Sequence, residues 1–314
     1  MLLPDPVIVL ETARLRLRWF APADADALLV LLNDPEWLRH IGDRGVRTRG
    51  DALQFVAERL VASYWRQGFG LWAIERRDDG AFAGVCGLVC RDGLPDLDLG
   101  YALLPAWRGH GFAREAGAAC LDYAVRALGE QRVLAIVAPG NDRSQATLAA
   151  LGMQPHGEVT LTGSEHASML YEWRGPTPPP ADDSSQLDAL TARFFAAFTS
   201  RGDAPPAVLS LPHLFAVDAA ITVPEADGAT VVDVRGFVEP RAALLHGGRL
   251  RDFAEAEVAH ETRVFGRFAL RTLRYRKAGV LDGQPFAGTG TKSLQFVRTR
   301  RGWRIAALAW HDDA

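Results

Sequence analysis

The sequence predicts two domains of different class, a mixed α/β domain over residues 1–174 and an α+β domain over residues 185–314, joined by a linker at 175–184. Three observations predict this. The stretch "RGPTPPPADDSSQ", residues 174–186, has three adjacent prolines that stiffen the chain, followed by polar residues that offer no core. Before it, strand and helix patterns are mixed. After it, two helical patterns precede a long run of strand patterns, as when helices pack on one face of an antiparallel sheet. No repeat relates the two halves.

In chain order, "ARLRLRWF" alternates at period two and predicts a strand with Leu15, Leu17 and Trp19 on one face. "ADADALLVLLND" predicts a helix stopped by Pro35. Thr48 with Asp51 three residues on is a capping-box variant that opens a helix with Leu53, Val56, Leu60 and Tyr64 at helical spacing, ended by Gly68 and Gly70. Three strands follow, "FGLWAIER", "AFAGVCGLVC" and "LDLGYALL", separated by the turns "RDDG" and "RDGLPD". A glycine turn and a helix to about Leu128 come next, then the buried strand "RVLAIVA". "NDRSQATLAALGM" is a short helix with Asn141 as N-cap and Gly152 as C-cap, and "ASMLYEWR" is the last strand of the first half.

The bulk composition narrows the function classes. A chain of 314 residues, 48% hydrophobic and 23% charged, has the make-up of a folded soluble protein long enough for two domains. With 35 basic and 38 acidic residues the net charge is −3, which gives no reason to expect a nucleic-acid groove. Cys86, Cys90 and Cys120 are odd in number and lack metal-ligand spacing, so they read as buried free thiols, with no metal site. The N-terminal stretch has two prolines and no basic region before its short apolar run, unlike a signal peptide. No run is long and apolar enough for a bilayer span, so the expected location is the cytoplasm, with no membrane partner.

The stretch "PAWRGHGFAREAGAACLDYA", residues 105–124, carries the chemistry. Gly109 and Gly111 stand where a strand gives way to a helix. A glycine turn that opens a helix is an anion site, because the first helical amides have no partner within the chain and the helix dipole favours negative charge there. Arg108-x-x-Gly111-x-Ala113 in this position resembles the coenzyme A loop of the GNAT superfamily of N-acetyltransferases. The preceding "DLGYALLP" and the later "NDRSQATL" resemble the ribosomal-protein N-terminal acetyltransferase (RimJ/RimL) branch, as does the opening "ETARLRLRWFAPADADALLVLLNDPE". The resemblance spans about residues 8–174. It implies an α/β GNAT fold, a mixed central sheet with flanking helices, and acetyl-CoA as cosubstrate.

The resemblance also implies site residues. The amides of Arg108, Gly109, His110, Gly111, Phe112 and Ala113 would face the pyrophosphate. His110 lies inside that loop and would point outward. The strand near Leu103 and Leu104 would be splayed from its neighbour, freeing amides for the thioester carbonyl. Asn141 would bond the pantetheine arm and Ser144 would protonate the leaving thiolate, although both also fit plain helix capping. Asp98 stands where the branch often has Glu and would take the amine proton, directly or through water. Tyr101 and Glu75 are weaker candidates for that role. Met153 stands where the family often has Phe, and Trp107 would pack beside the cofactor.

Residues 185–314 resemble the cone-shaped nuclear-transport-factor-2-like fold, including SnoaL-type domains, through the helix "ALTARFFAAF", the long strands and the closing "GWRIAALAWHDD". That fold serves enzymes, ligand binders and dimerisation modules alike, so it fixes no function. His213, His246, His260, His311, Asp218 and Asp312 could reach a pocket, but each also fits a surface or core-rim position. The arginines of "ETRVFGRFALRTLRYRK" alternate with apolar residues as on a sheet with one solvated face. The expected activity is acetyl transfer to a primary amine, a protein N-terminus or a small molecule, by direct attack in a ternary complex. The second domain would shape the acceptor site or pair subunits as a homodimer. The alternative is an acyl-CoA sensor or small-ligand binder whose C-terminal domain carries the main activity.

Overall fold

The computed structural model describes residues 7–161, 166–176, 182–201, 207–225, 227–299 and 302–313. Most of the prolines of the expected linker lie outside them. By compactness the chain divides into residues 1–63 with 69–177, and residues 64–68 with 178–314.

The first unit is built on an eight-stranded sheet. Strand β1 (Ile8–Glu11) pairs with β2 (Leu15–Arg18), whose Leu15 and Leu17 are fully buried as the alternation predicts. Helix α1 (Ala25–Leu32) follows. Pro35 then begins a helix rather than only ending one. Asp34 accepts from the amides of Glu36 and Trp37 at 3.1 and 3.3 Å, and Pro35 takes the first turn of α2 (Pro35–His40), where its missing N–H costs nothing. The capping box at Thr48 and Asp51 is formed, and α3 (Arg49–Phe55) runs through a π-helical stretch, Val56–Val61, into α4 (Ala62–Gln67), whose residues from Tyr64 on are grouped with the second unit.

Strands β3 (Leu71–Arg76), β4 (Phe82–Val89) and β5 (Leu97–Leu103) extend the sheet antiparallel. Helix α5 (Phe112–Tyr123) packs on β4 and β5 and continues as a π-helical turn, Ala124–Leu128. Strand β6 (Arg132–Val137), helix α6 (Asp142–Ala150), and strands β7 (Gln154–Val159) and β8 (Ser168–Arg174) complete the unit, in sheet order β1-β2-β3-β4-β5-β6-β8-β7. Strand β7 carries no strand signal in the sequence, because "QPHGEV" holds Pro and Gly and has no apolar alternation. It lies at the sheet edge, where such a strand is tolerated. Cys86 and Cys120 are buried free thiols with sulfurs 3.6 Å apart, whereas Cys90, just past the end of β4, is exposed rather than buried as expected.

The second unit holds α7 (Asp183–Ala196), β9 (Phe215–Glu225), β10 (Gly228–Val232), α8 (Val234–His246) and four long strands, β11 (Leu250–Phe265), β12 (Phe268–Leu281), β13 (Gln284–Thr299) and β14 (Gly302–Asp312). The six strands order as β10-β9-β14-β13-β12-β11, with β9 parallel to β14. Phe194 of α7, Phe198 just past its end, Phe215 of β9 and Phe237 of α8 form an aromatic core, with ring centroids 5.3 to 6.5 Å apart. Pro240 sits inside α8.

Strand β12 has the expected solvated face, with Arg274 and Arg276 exposed, but Arg271 departs from it. Ala269, Arg271, Leu273 and Tyr275 point inward while Leu270 is exposed. Buried Arg271 is satisfied by Asp188 on α7, by Glu257 at 3.3 Å and by Thr262 at 2.7 Å. On the same sheet, Lys292 and Glu255 form a buried ion pair at 2.6 Å, with the ammonium 3.7 Å from the centre of the Tyr275 ring. Glu255→Ala would leave that ammonium uncompensated, and urea denaturation of this unit should show a loss of about 3 kcal/mol. The double change Glu255→Leu with Lys292→Met should recover most of it.

The six pocket candidates of this unit do not converge. Asp312 accepts from Tyr275 and Lys277 at 2.5 Å each, and His260 pairs with Glu257. His213 is buried, while Asp218, His246 and His311 are exposed. No helix among the described residues is long and apolar enough to cross a membrane.

Candidate active site

The site lies in the first unit, where β5 and β6 part. They are paired in parallel only at Leu97 with Val133 and Asp98 with Leu134. Beyond that, β5 stays on β4 up to Leu103 while β6 follows β8, so a fork opens between them. Asp98 stands at the root of the fork. Its carboxylate accepts the Ile136 amide at 3.2 Å across the gap and pairs with Arg91 at 2.7 Å. Burial pushes its pKa above the ordinary carboxylate value, against the opposing pull of Arg91.

The amides expected at the fork need one correction. Leu104 donates to Ala83 O at 3.0 Å, so its amide belongs to the β4 side. Antiparallel pairing alternates the direction of successive amides, which turns those of Tyr101 and Leu103 toward the fork.

Past the end of β5, the turn at residues 108–111 leads into α5. Gly109 and Gly111 have φ of +81° and +78°, a left-handed conformation that glycine adopts without strain. The first bond of the helix runs from the Glu115 amide to Gly111 O at 3.0 Å. Among the described residues, the amides from Gly109 to Arg114 donate to no acceptor. The turn is held from outside by contacts the sequence did not reveal. Glu115 accepts from the Thr12 hydroxyl and from the Arg14 amide and guanidinium, and Arg14 also donates to His110 O at 3.0 Å. The Arg108 side chain is occupied too, donating to Leu103 O at 3.1 Å and pairing with buried Asp34, which ties the turn to the start of α2. Its charge is thus partly neutralised.

Two cavities adjoin at this place. One, of about 800 Å³, is lined by Leu103, Arg108, Gly109, Gly111, Phe112, Ala113, Asn141 and Ser144. Leu104 and His110 do not line it, and His110 turns its Nδ1 to Arg108 O at 3.0 Å. The other, of about 570 Å³, is lined by Asp98 and by Arg44, Arg59 and Arg91. Tyr101, Asn141 and Ser144 line both. Asn141 caps α6, accepting the Ser144 amide at 3.1 Å through its side-chain oxygen. The Tyr101 hydroxyl lies 2.7 Å from Ser144 Oγ and donates to Ser144 O at 3.1 Å. Burial pushes the Tyr101 pKa up to about 12, against the Ser144 hydrogen bond, so it is a protonated donor at neutral pH. Glu75 lines neither cavity, being bonded to Arg18 and Arg16 at 2.5 and 3.5 Å. Trp107 packs under the Arg76 guanidinium at 4.2 Å, and Met153 is buried.

A cradle of unbonded amides at a helix start, beside a forked pair of strands, defines a binding site for an anionic cosubstrate in an α/β fold. The acetyltransferase (GNAT) domain model matches residues 14–154. The chain is similar to the uncharacterized N-acetyltransferase YoaA of Bacillus subtilis, 30% identical over 152 residues that cover 48% of this chain and 84% of that protein. It is also similar to the uncharacterized protein YkkB of the same organism, 31% identical over 168 residues, covering 52% and 94%. Among solved structures, an acetyltransferase from Agrobacterium tumefaciens is 25% identical with a TM-score of 0.46, covering 52% of this chain and 93% of that one. The chain belongs to the GNAT acetyltransferase family, and the match falls on its first half.

Proposed function

We propose that the first unit is an acetyl-CoA-dependent N-acetyltransferase that passes the acetyl group directly to a primary amine while both substrates are bound. The observation that carries this reading is the row of unbonded amides from Gly109 to Arg114 at the mouth of the fork, in a chain of this family. When bound, acetyl-CoA supplies a thioester acyl group. The amides at the turn grip its pyrophosphate, Asn141 receives the pantetheine arm, and the fork admits the arm toward Tyr101. Leu103 and Tyr101 turn amide donors to the acyl oxygen, where negative charge grows during transfer. As the bond between the acyl carbon and sulfur breaks, Ser144 gives a proton to the departing sulfur and is replenished by Tyr101, 2.7 Å away, which regains its proton from solvent while the proton taken from the amine leaves to solvent through Asp98. Asp98 is the proton acceptor for the incoming amine, through water, since both of its oxygens are already engaged.

The second unit is read as a nuclear-transport-factor-2-like domain. Support comes from two helices that each contact one six-stranded sheet ending in four long antiparallel strands. The test of the activity is incubation of the full chain with acetyl-CoA and a panel of peptides and small amines. Free thiol should be released one-for-one with acetylated amine seen by mass spectrometry. Thiol release without an acetylated amine, or no release with any acceptor, overturns the reading.

A further inference from the structure

We infer that the second cavity selects an acceptor amine that carries an anionic group, because it is lined by a triad of arginines, Arg44, Arg59 and Arg91, with too few acidic partners to neutralise it. This rests on the reading of that cavity as the acceptor site. The two carboxylates that line the cavity are both engaged. Asp98 is paired with Arg91, and Asp43 with Arg47. The guanidiniums of Arg44 and Arg59 make no ion pair or hydrogen bond among the described residues. The three guanidiniums are close enough to act on one another: after desolvation, the like charges of Arg91 and then Arg59 lower the Arg44 pKa. Three cations on one cavity repel each other unless an anion joins them, and guanidinium groups match carboxylate and phosphate in a forked geometry. Arg44 lies on the loop between α2 and α3, Arg59 in the π-helical stretch after α3 and Arg91 just past β4, so three separate parts of the chain bring charge to one place. The anion sits in this cavity, and the amine reaches toward Tyr101 and Ser144, which line both cavities.

The test uses matched pairs of acceptors titrated into the full chain without acetyl-CoA: O-phosphoethanolamine against ethanolamine, and the peptide amide Ser-Asp-Asp against Ser-Asn-Asn. The acidic member of a pair should bind about tenfold or more tighter, since hydrogen bonds to charged groups each carry that much or more. The two pairs separate a phosphate from a carboxylate source. Arg44→Gln and Arg59→Gln should abolish the advantage, while Gly111→Glu, which disturbs only the pyrophosphate cradle, should leave it unchanged. Equal binding within both pairs, no binding of either acidic member, or an advantage lost in Gly111→Glu but kept in Arg44→Gln overturns the inference. If the acidic members bind as expected but no amine of the wider acceptor panel is acetylated, the anion site stands and the acetyltransferase reading fails. The two failures are therefore distinct.

Discussion

Replacing Gly111 by Glu should reduce the affinity for acetyl-CoA about a hundredfold or more, because two separate costs fall on the same site. The first is backbone strain. At φ +78° a side-chain-bearing residue is held in a conformation that costs about 1–3 kcal/mol. The second is charge, since a carboxylate is placed among the amides that would face a pyrophosphate. Gly111→Ala separates the two. A Cβ at Gly111 meets only the Arg14 guanidinium, at 3.5 Å, so alanine adds strain without a clash. Isothermal titration of the wild type and both variants should give three ordered affinities, with Glu far the weakest. Equal affinity for wild type and Glu variant would show that the cofactor phosphates do not sit at this turn.

Tyr101→Phe should lower kcat about a hundredfold or more, the size of a lost general acid, while leaving acetyl-CoA affinity near that of the wild type. The change removes one oxygen atom, and the ring keeps its place beside Ser144. Because burial holds the wild-type hydroxyl protonated up to about pH 12, its loss of a proton should produce no alkaline fall in kcat across the usual assay range. Ser144→Ala should give a similar loss, and the double variant should cost little more than either single one, because the two hydroxyls act in series. Additive losses would show that they act independently.

Much of the first unit was legible in the sequence because its elements follow from local rules. The alternation in "ARLRLRWF", the capping box at Thr48 and Asp51 and the glycine turn before α5 each depend on residues close together in the chain. The parts that were not legible depend on distant partners. Nothing near Glu115 points to Arg14, 101 residues away, and nothing near Arg108 points to Asp34, 74 residues away. The amide direction at Leu104 follows from a bond to Ala83 that only the paired strands reveal. Asp98 was visible as a candidate, but its burial and its pairing with Arg91 belong to the fork and not to its own strand. In the second unit, "FALRTLRYRK" shows its period but not its phase. Charge alone suggests that arginines face water, whereas Asp188 on α7 draws Arg271 inward.

That inward arginine also checks how the sheet assembles. If β12 slipped by one residue against its neighbours, every side chain would change faces. Arg274 and Arg276 would then turn toward the core and Arg271 would leave it. Asp188 would be left facing no cation, and two guanidiniums would be confined among apolar rings. A hairpin joined in the wrong register therefore cannot settle quietly on the helices. Buried Arg271, held by Asp188 on α7 and by Glu257 and Thr262 on β11, therefore ties the register of β12 both to its neighbouring strand and to the helix packed on the sheet.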